Sequence, residues 1–301
     1  MTLPNFIVAG AKKTATTSMY EYLKQHPQIY MSPIKEAKYF AYEPHNPNHV
    51  SAGYQQYPIR TMEAYQDLFR DVTNEIAIGE ASPLYISSLY ALQQIYQTIP
   101  TVKLIFSLRN PVDRVYSDYI MRVRGGYEER TVAQAMQEDL DDFRQKTYYK
   151  WLSPWYEHFP VEQIKVVLFE DIKKDAVQVM QELYQFLGVD ASFTPDVSRH
   201  HQIGGLPKSQ AKQNIVNYLR RYRFLRFYLP KELRIHFTDF ARGNLEKAPP
   251  LPDDLRQMLS QMYCEDLPEL SKLIGRDLSI WGLAEDAQKA PKRVELTPVS
   301  F

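Results

Sequence analysis

Between Gly10 and Ser18 the chain reads GAKKTATTS, two lysines and four hydroxyl side chains within nine residues. These types can hold a phosphate-like anion, because lysine brings a full positive charge and the threonine and serine hydroxyls bring donors. The flanking residues strengthen that chemistry. Phe6, Ile7, Val8 and Ala9 form a short apolar run, the mark of a strand buried on both faces, and Met19, Tyr20 and Leu23 recur at helical spacing. A strand that turns at Gly10 into a helix offers an anion the unpaired N–H groups of the first turn and the positive end of the helix dipole. A nucleotide-triphosphatase loop would place Gly-Lys-Ser/Thr where Ala15-Thr16-Thr17 stands, and here the lysines come early, at 12 and 13. The stretch has phosphate-loop physics without the triphosphatase pattern.

Two further stretches carry chemistry. Glu36, between Lys35 and Lys38 and just after the candidate strand Gln28 to Met31, is either a solvated surface pair or a candidate general base. Lys103 to Arg122 reads as a buried strand over 104–108 with Arg109 at its tip. Asn110 follows as N-cap, Pro111 at the first helical position and Asp113 in the first turn. Ser117 follows Asn110 by seven residues, about 700° around a helix, so the two share an edge. Arg109 and Ser117 together can grip a second anionic group, unless Arg109 pairs with a neighbouring carboxylate. In 199–209, Gly204, Gly205 and Lys208 can fold over a nucleotide. His45 and His49 lie four apart among prolines, and His200 adjoins His201, so neither pair suits a metal site. Whether Glu36 or one of His45, His49 and His201 takes a proton stays open.

The elements that must position these residues alternate. Strands are expected over 6–9, 28–31, 76–80, 104–108 and 164–169. Helices are expected to Gln25 and over 61–69, 84–97, from Pro111, 131–142, 153–159, 176–187 with Gly188 closing it, 214–240, and 255–273 with an interruption near Pro268. Such alternation predicts an α/β fold, a central mainly parallel sheet flanked by helices in three layers. Ligands of such sheets bind at the strands' C-terminal ends, which puts the 10–18 loop, Glu36, Ser82 and Arg109 on one rim. Residues 41–58, irregular and rich in proline and tyrosine, read as a lid over an acceptor site.

Composition bounds the classes. The 301 residues are 44% hydrophobic with a formal net charge of zero, so no broad attraction to nucleic acid or acidic membranes follows. The first forty residues hold five lysines against Glu21 and Glu36. Cys264 is the one cysteine, which excludes an intrachain disulfide and points to a reducing compartment. No secretory leader pattern and no run of 18 apolar residues is present. The expected setting is cytoplasmic, with no membrane and no nucleic-acid partner.

Six stretches in register, the 10–18 loop, KEAKYF at 35–40, GEASPLY at 79–85, LRNPVDRVYSDY at 108–119, the 204–209 loop and GRDLSIW at 275–281, resemble the sulfotransferase family. These enzymes use 3′-phosphoadenosine 5′-phosphosulfate, and the resemblance is nearest the bacterial and heparan-sulfate-type branch, with its P-loop-like fold. It implies that Gly10, Ala11, Lys12, Lys13, Thr14, Ala15, Thr16, Thr17 and Ser18 form the 5′-phosphosulfate loop. Lys13 would be the catalytic lysine. It further implies that Arg109 and Ser117 hold the 3′-phosphate, that Glu36 is the general base, and that Gly205 and Lys208 belong to a loop closing over the nucleotide. Adenosine 3′,5′-bisphosphate is the implied product, and no metal is required. Three positions depart from the pattern: Ala15 where glycine is common, Lys38 where histidine is common after the base, and Ala81 where lysine is common.

The expected acceptor is a hydroxyl, or secondarily an amine, of a small molecule, a glycan or a carrier-bound hydroxyacyl chain. A P-loop kinase or triphosphatase and a non-catalytic module binding the bisphosphate are the competing classes. One domain is expected over 1–284. Residues 285–301, without periodicity and with Pro291 and Pro298, read as a tail or linker of a multidomain protein.

Overall fold

Every residue of the opening strand β1, Phe6–Gly10, is buried. Its side chains alternate between two cores, Ile7 and Ala9 entering one cluster and Phe6 and Val8 the other. A strand buried on both faces needs helices above and below, and the computed structural model supplies them. It describes residues 2–44, 57–198, 205–221 and 243–288.

The sheet has five parallel strands in the order β2-β3-β1-β4-β5, with β2 Ile29–Met31, β3 Ala77–Ala81, β4 Lys103–Leu108 and β5 Ile164–Leu168. From β1 the chain moves to β3 and β2 on one side and then returns to β4 on the other. The order therefore reverses between β1 and β4, the switch point where the crevice of such sheets opens. Close strand packing has one strict requirement. A Cβ on Gly79 would lie 2.1 Å from the Phe6 ring, so β3 and β1 pair there only with glycine.

The helices used below are α1 Thr16–Leu23, α2 Met62–Asp67, α3 Leu89–Thr98, α4 Pro111–Gly125, α5 Tyr148–His158, α6 Phe169–Lys174, α7 Ala176–Leu187, α8 Gln210–Arg221 and α9 Asp253–Cys264. Asn110 caps α4 by accepting from the Val112 and Asp113 N–H groups, with Pro111 in the first turn. Gly188, left-handed at φ 80°, closes α7.

Several boundaries differ from expectation for local reasons. The helix expected over 84–97 begins at Leu89, because the Ser88 side chain caps it after a 3-10 turn over Tyr85–Ser87. The segment expected as one helix over 131–142 is two, Val132–Glu138 and Leu140–Gln145, which bury Ala135, Met136 and Phe143. The helix expected from Ser153 starts at Tyr148 and carries Pro154 inside. The 255–273 region divides into α9 and Leu267–Ile274, with Pro268 in the second helix's first turn. The expected tail from 285 begins inside a helix, Leu283–Gln288, whose Leu283 is buried. His45, His49, His201, Gly204, residues 45–56 of the expected 41–58 lid, residues 222–240 of the helix expected over 214–240, and 289–301 lie outside the described residues. Among the described residues no helix is long and apolar enough to cross a membrane.

Candidate functional site

The loop after β1 is fixed to β4 from both ends. The Ala11 N–H donates to Ser107 O at 2.8 Å, and the Ser107 hydroxyl donates to Thr14 O at 2.6 Å. The Thr14 hydroxyl is buried and donates to Ala11 O, so it braces the loop. Gly10 is required at the turn, since a Cβ there would lie 2.5 Å from that of Ile86. No side chain caps α1, so its first N–H groups face the rim without a protein partner from a capping residue, as an anion site requires. Ala15 holds the left-handed φ of 68° that glycine prefers, so its substitution leaves the turn's form intact. Lys13 at 69°, Glu36 at 63° and Lys38 at 56° do the same. Backbone strain of about 1–3 kcal/mol per residue gathers on this one rim.

Lys13 and Arg109 meet at the switch point. The Lys13 ammonium lies 3.7 Å from Met121 Sδ, and its carbonyl is 3.5 Å from Arg109 Nη1. Burial, then the positive charge of Arg124 and Arg109, lowers the Lys13 ammonium from 10.5 to about 8 against the opposing pull of Asp118 and Glu36. Burial, then Lys38, also lowers Lys12.

Arg109 is held by its surroundings and keeps a free donor. Its N–H donates to the Tyr148 hydroxyl at 3.3 Å, its guanidinium lies 4.6 Å from the Phe169 ring centroid, and its buried Nε has no partner among the described residues. The 275–281 motif reaches this point too. Trp281 O accepts from Asn110 Nδ2 at 2.7 Å, and Glu170 accepts from both the Asn110 N–H and the Trp281 indole N–H. That motif therefore buttresses the helix start behind Arg109.

Lys13, Arg109 and Ser117 line one cleft of about 400 Å³, within the range of small-molecule sites. Its wall is completed by Gly205 and by three cations that sequence reasoning missed, Arg124, Lys247 and Arg256. Among the described residues, five cationic side chains thus face a single lining carboxylate, Asp113, which pairs with Arg256 at 2.8 Å and lies 3.9 Å from Arg109. Arg124 follows Ser117 by seven residues on α4, so the helical spacing did carry that signal. Arg256, on the distant α9, left none. Lys208 is exposed just after Leu206–Pro207, which pairs antiparallel with Leu245–Glu246, and does not line the cleft; Lys247, just after the partner strand, does.

Glu36 sits on the same rim, its N–H donating to Ala81 O at 2.9 Å. Lys35 Nζ is 2.8 Å and Lys38 Nζ 3.5 Å from its carboxylate. Burial alone would raise this carboxyl, but Lys35, which also donates a hydrogen bond to it, Lys38 and Lys12 together hold it at about 2. Ser82 is buried and accepts from the Lys38 N–H. A second carboxylate, Glu80, unremarked in the sequence, is fully buried beneath it. Burial raises its pKa, opposed by hydrogen bonds from Ser82, Tyr65 and Tyr85. Among the described residues, no three His, Cys, Asp or Glu side chains are grouped to hold a metal ion.

Such a site can bind a doubly anionic, nucleotide-sized ligand, with one lysine and a helix N-terminus that no side chain caps at one end and an arginine at the other. The sequence profile described as the sulfotransferase family matches residues 4–195. The membrane-associated sulfotransferase kil1 of Dictyostelium discoideum is 38% identical over 117 residues, 39% of this chain and 22% of that protein. The human bifunctional heparan sulfate N-deacetylase/N-sulfotransferase 3 is 25% identical over 307 residues, 95% of this chain and 32% of that protein. The chain spans about a fifth to a third of the length of these curated relatives. The crystal structure of a sulfotransferase from Alicyclobacillus acidocaldarius is similar with a TM-score of 0.69 at 29% identity, covering 94% of this chain and all of that one.

Proposed function

The chain belongs to the sulfotransferase family, and from that premise we propose that it takes its sulfuryl group from 3′-phosphoadenosine 5′-phosphosulfate and passes it to an acceptor hydroxyl. The observation that carries this reading is the meeting of Lys13 and Arg109 in one cleft that, among the described residues, holds five cations and leaves the buried Arg109 Nε without a partner. The residues present fit a nucleotide with anions at both its 5′ and 3′ positions. The 10–18 loop and the start of α1 would hold the 5′ end, and Arg109 and Ser117 the 3′-phosphate. When bound, the donor supplies an activated sulfuryl group and a phosphate leaving group.

Lys13 then does the selective work. Charge develops on the bridging oxygen as the nucleotide departs, and an ammonium beside it strengthens its interaction in the transition state. Partial exclusion of water around Lys13 increases that effect. Glu36 is ionised throughout the working pH range and is placed to take the acceptor's proton, while Lys35 and Lys38 fix its carboxylate. A carboxylate held so low is a weak base in the free protein, so an acceptor that displaces either lysine from it would restore its basicity.

The acceptor class is read more coarsely. Glycans and carrier-tethered hydroxyacyl chains both offer hydroxyls of the required kind, and similarity to glycan-modifying relatives supports the first. The lone Cys264 supports a reducing, cytoplasmic setting. Incubation of the protein with sulfur-labelled donor and a panel of glycans, phenols, lipids and carrier-bound hydroxyacyl chains tests the reading. Label should pass to one class and not with Lys13→Ala, which should still bind adenosine 3′,5′-bisphosphate. Wild-type turnover in Lys13→Ala would overturn the assigned mechanism.

A further inference from the structure

Glu80, one residue before the end of β3, is fully buried beneath the rim, and the transfer chemistry makes no direct use of it. Three hydroxyls point at its carboxylate. Tyr65 and Tyr85 donate to Oε1 at 2.8 and 2.9 Å, and Ser82 donates to Oε2 at 2.7 Å. A hydroxyl whose hydrogen is committed to a carboxylate must present its lone pairs elsewhere. Two of these three receive backbone N–H groups from the segment that carries Glu36. The Lys38 N–H donates to Ser82 Oγ at 3.0 Å, and the Phe40 N–H donates to the Tyr85 hydroxyl at 3.3 Å. The Glu36 N–H, bonded to Ala81 O, closes the same seam.

Glu36 and Lys38 both hold left-handed backbone, a conformation that non-glycine residues keep only where the surroundings over-determine it. The seam is that constraint, and Glu80 orients two of its three acceptors. We propose that Glu80 is a positioning residue for sulfuryl transfer: by fixing the Ser82 and Tyr85 hydroxyls it locks residues 36–40 to the sheet rim and so aims the Glu36 carboxylate. This rests on Glu36 as the proton acceptor. Tyr65 supplies an internal control. Its hydroxyl gives Glu80 an equally short bond but none of these seam bonds to residues 36–40, so a merely structural carboxylate would depend on it as much as on the other two.

Nuclear magnetic resonance on the full chain tests this without donor or acceptor. The readouts are amide exchange at Lys38 and Phe40 and the carboxyl carbon resonance of Glu36. Ser82→Ala should speed exchange at Lys38 by about tenfold, the factor one lost hydrogen bond is worth, and Tyr85→Phe should do so at Phe40. Glu80→Gln should affect both, and all three variants should shift the Glu36 carboxyl resonance. Tyr65→Phe should leave every readout within about twofold of wild type. Should Glu80→Gln fail to fold, Ser82→Ala and Tyr85→Phe decide, since each removes only a hydroxyl oxygen. Unchanged exchange in both, or equal changes in Tyr65→Phe, would overturn the proposal. A failure of the transferase reading would appear separately, as no binding of adenosine 3′,5′-bisphosphate by wild type.

Discussion

Replacing Lys13 by methionine should destroy turnover and make the protein more stable. The Lys13 ammonium is displaced from 10.5 to about 8 by burial first and then by Arg124 and Arg109, with Asp118 and Glu36 pulling the other way. An unfolded chain restores an ordinary lysine, near 10.4, so the charged form disfavours folding by about 3 kcal/mol at most. Solvent screening of this half-buried group reduces the working figure to about 1–3 kcal/mol. The pH window follows from the sign of the shift. Below pH 8 the lysine is charged in both states and the whole penalty is present. Between 8 and 10.5 the folded protein gives up the proton while the unfolded chain keeps it, so wild-type stability rises with pH. Above 10.5 the penalty is gone. Urea unfolding of wild type and Lys13→Met at pH 7 and again near pH 10 is the assay. The variant should show a higher midpoint at pH 7 with an unchanged slope, and the gap should narrow toward pH 10. A variant no more stable than wild type at pH 7, or a gap that is the same at both values, would refute the account of how Lys13 is held.

Arg109→Ala should weaken binding of adenosine 3′,5′-bisphosphate by about 10- to 100-fold, the loss of one charge-assisted contact, read by calorimetry. Glu36→Gln should lower kcat by about 10²–10⁴-fold and leave that affinity unchanged. Because the Glu36 carboxyl is held at about 2 in the free protein, the wild-type profile of kcat/KM, which reports the free enzyme, should show no acid limb from this residue between about pH 4 and 6. Ala15→Gly, at φ 68°, should raise stability by about 0.5–1 kcal/mol in thermal unfolding with activity retained, since glycine takes that backbone without the Cβ clash.

The parallel sheet was legible because its strands are short apolar runs buried on both faces, and periodicity of that kind survives without knowledge of the partner. The same holds for the start of α4, where Asn110, Pro111 and Asp113 announce the cap the structure contains. The rim was legible through topology, which brings Lys13, Glu36 and Arg109 to the same strand ends. What escaped was long-range. Arg256 and Lys247 reach the cleft from the C-terminal third, and their positions depend on how α9 and the long-range pairing of Leu206–Pro207 with Leu245–Glu246 pack on α4. Glu80 escaped because, although Ser82 and Tyr85 follow it by only two and five residues, their turn back onto its carboxylate and the arrival of Tyr65 from fifteen residues upstream are set by the fold, and no spacing rule links them. Lys208 looked suitable by sequence position, yet it is exposed, and Lys247, across a long-range strand pair, lines the cleft instead. Side-chain direction at a strand pair is set by register, which a single chain's composition does not encode.

The central claim is that one cleft holds a nucleotide by anions at both ends, and calorimetric titration with two ligands tests it most directly. Adenosine 3′,5′-bisphosphate should bind wild type at least about tenfold more tightly than adenosine 5′-monophosphate, because the 3′-phosphate engages Arg109. In Arg109→Ala that preference should collapse. Equal affinity of wild type for the two ligands, or no binding of the bisphosphate, would contradict the account.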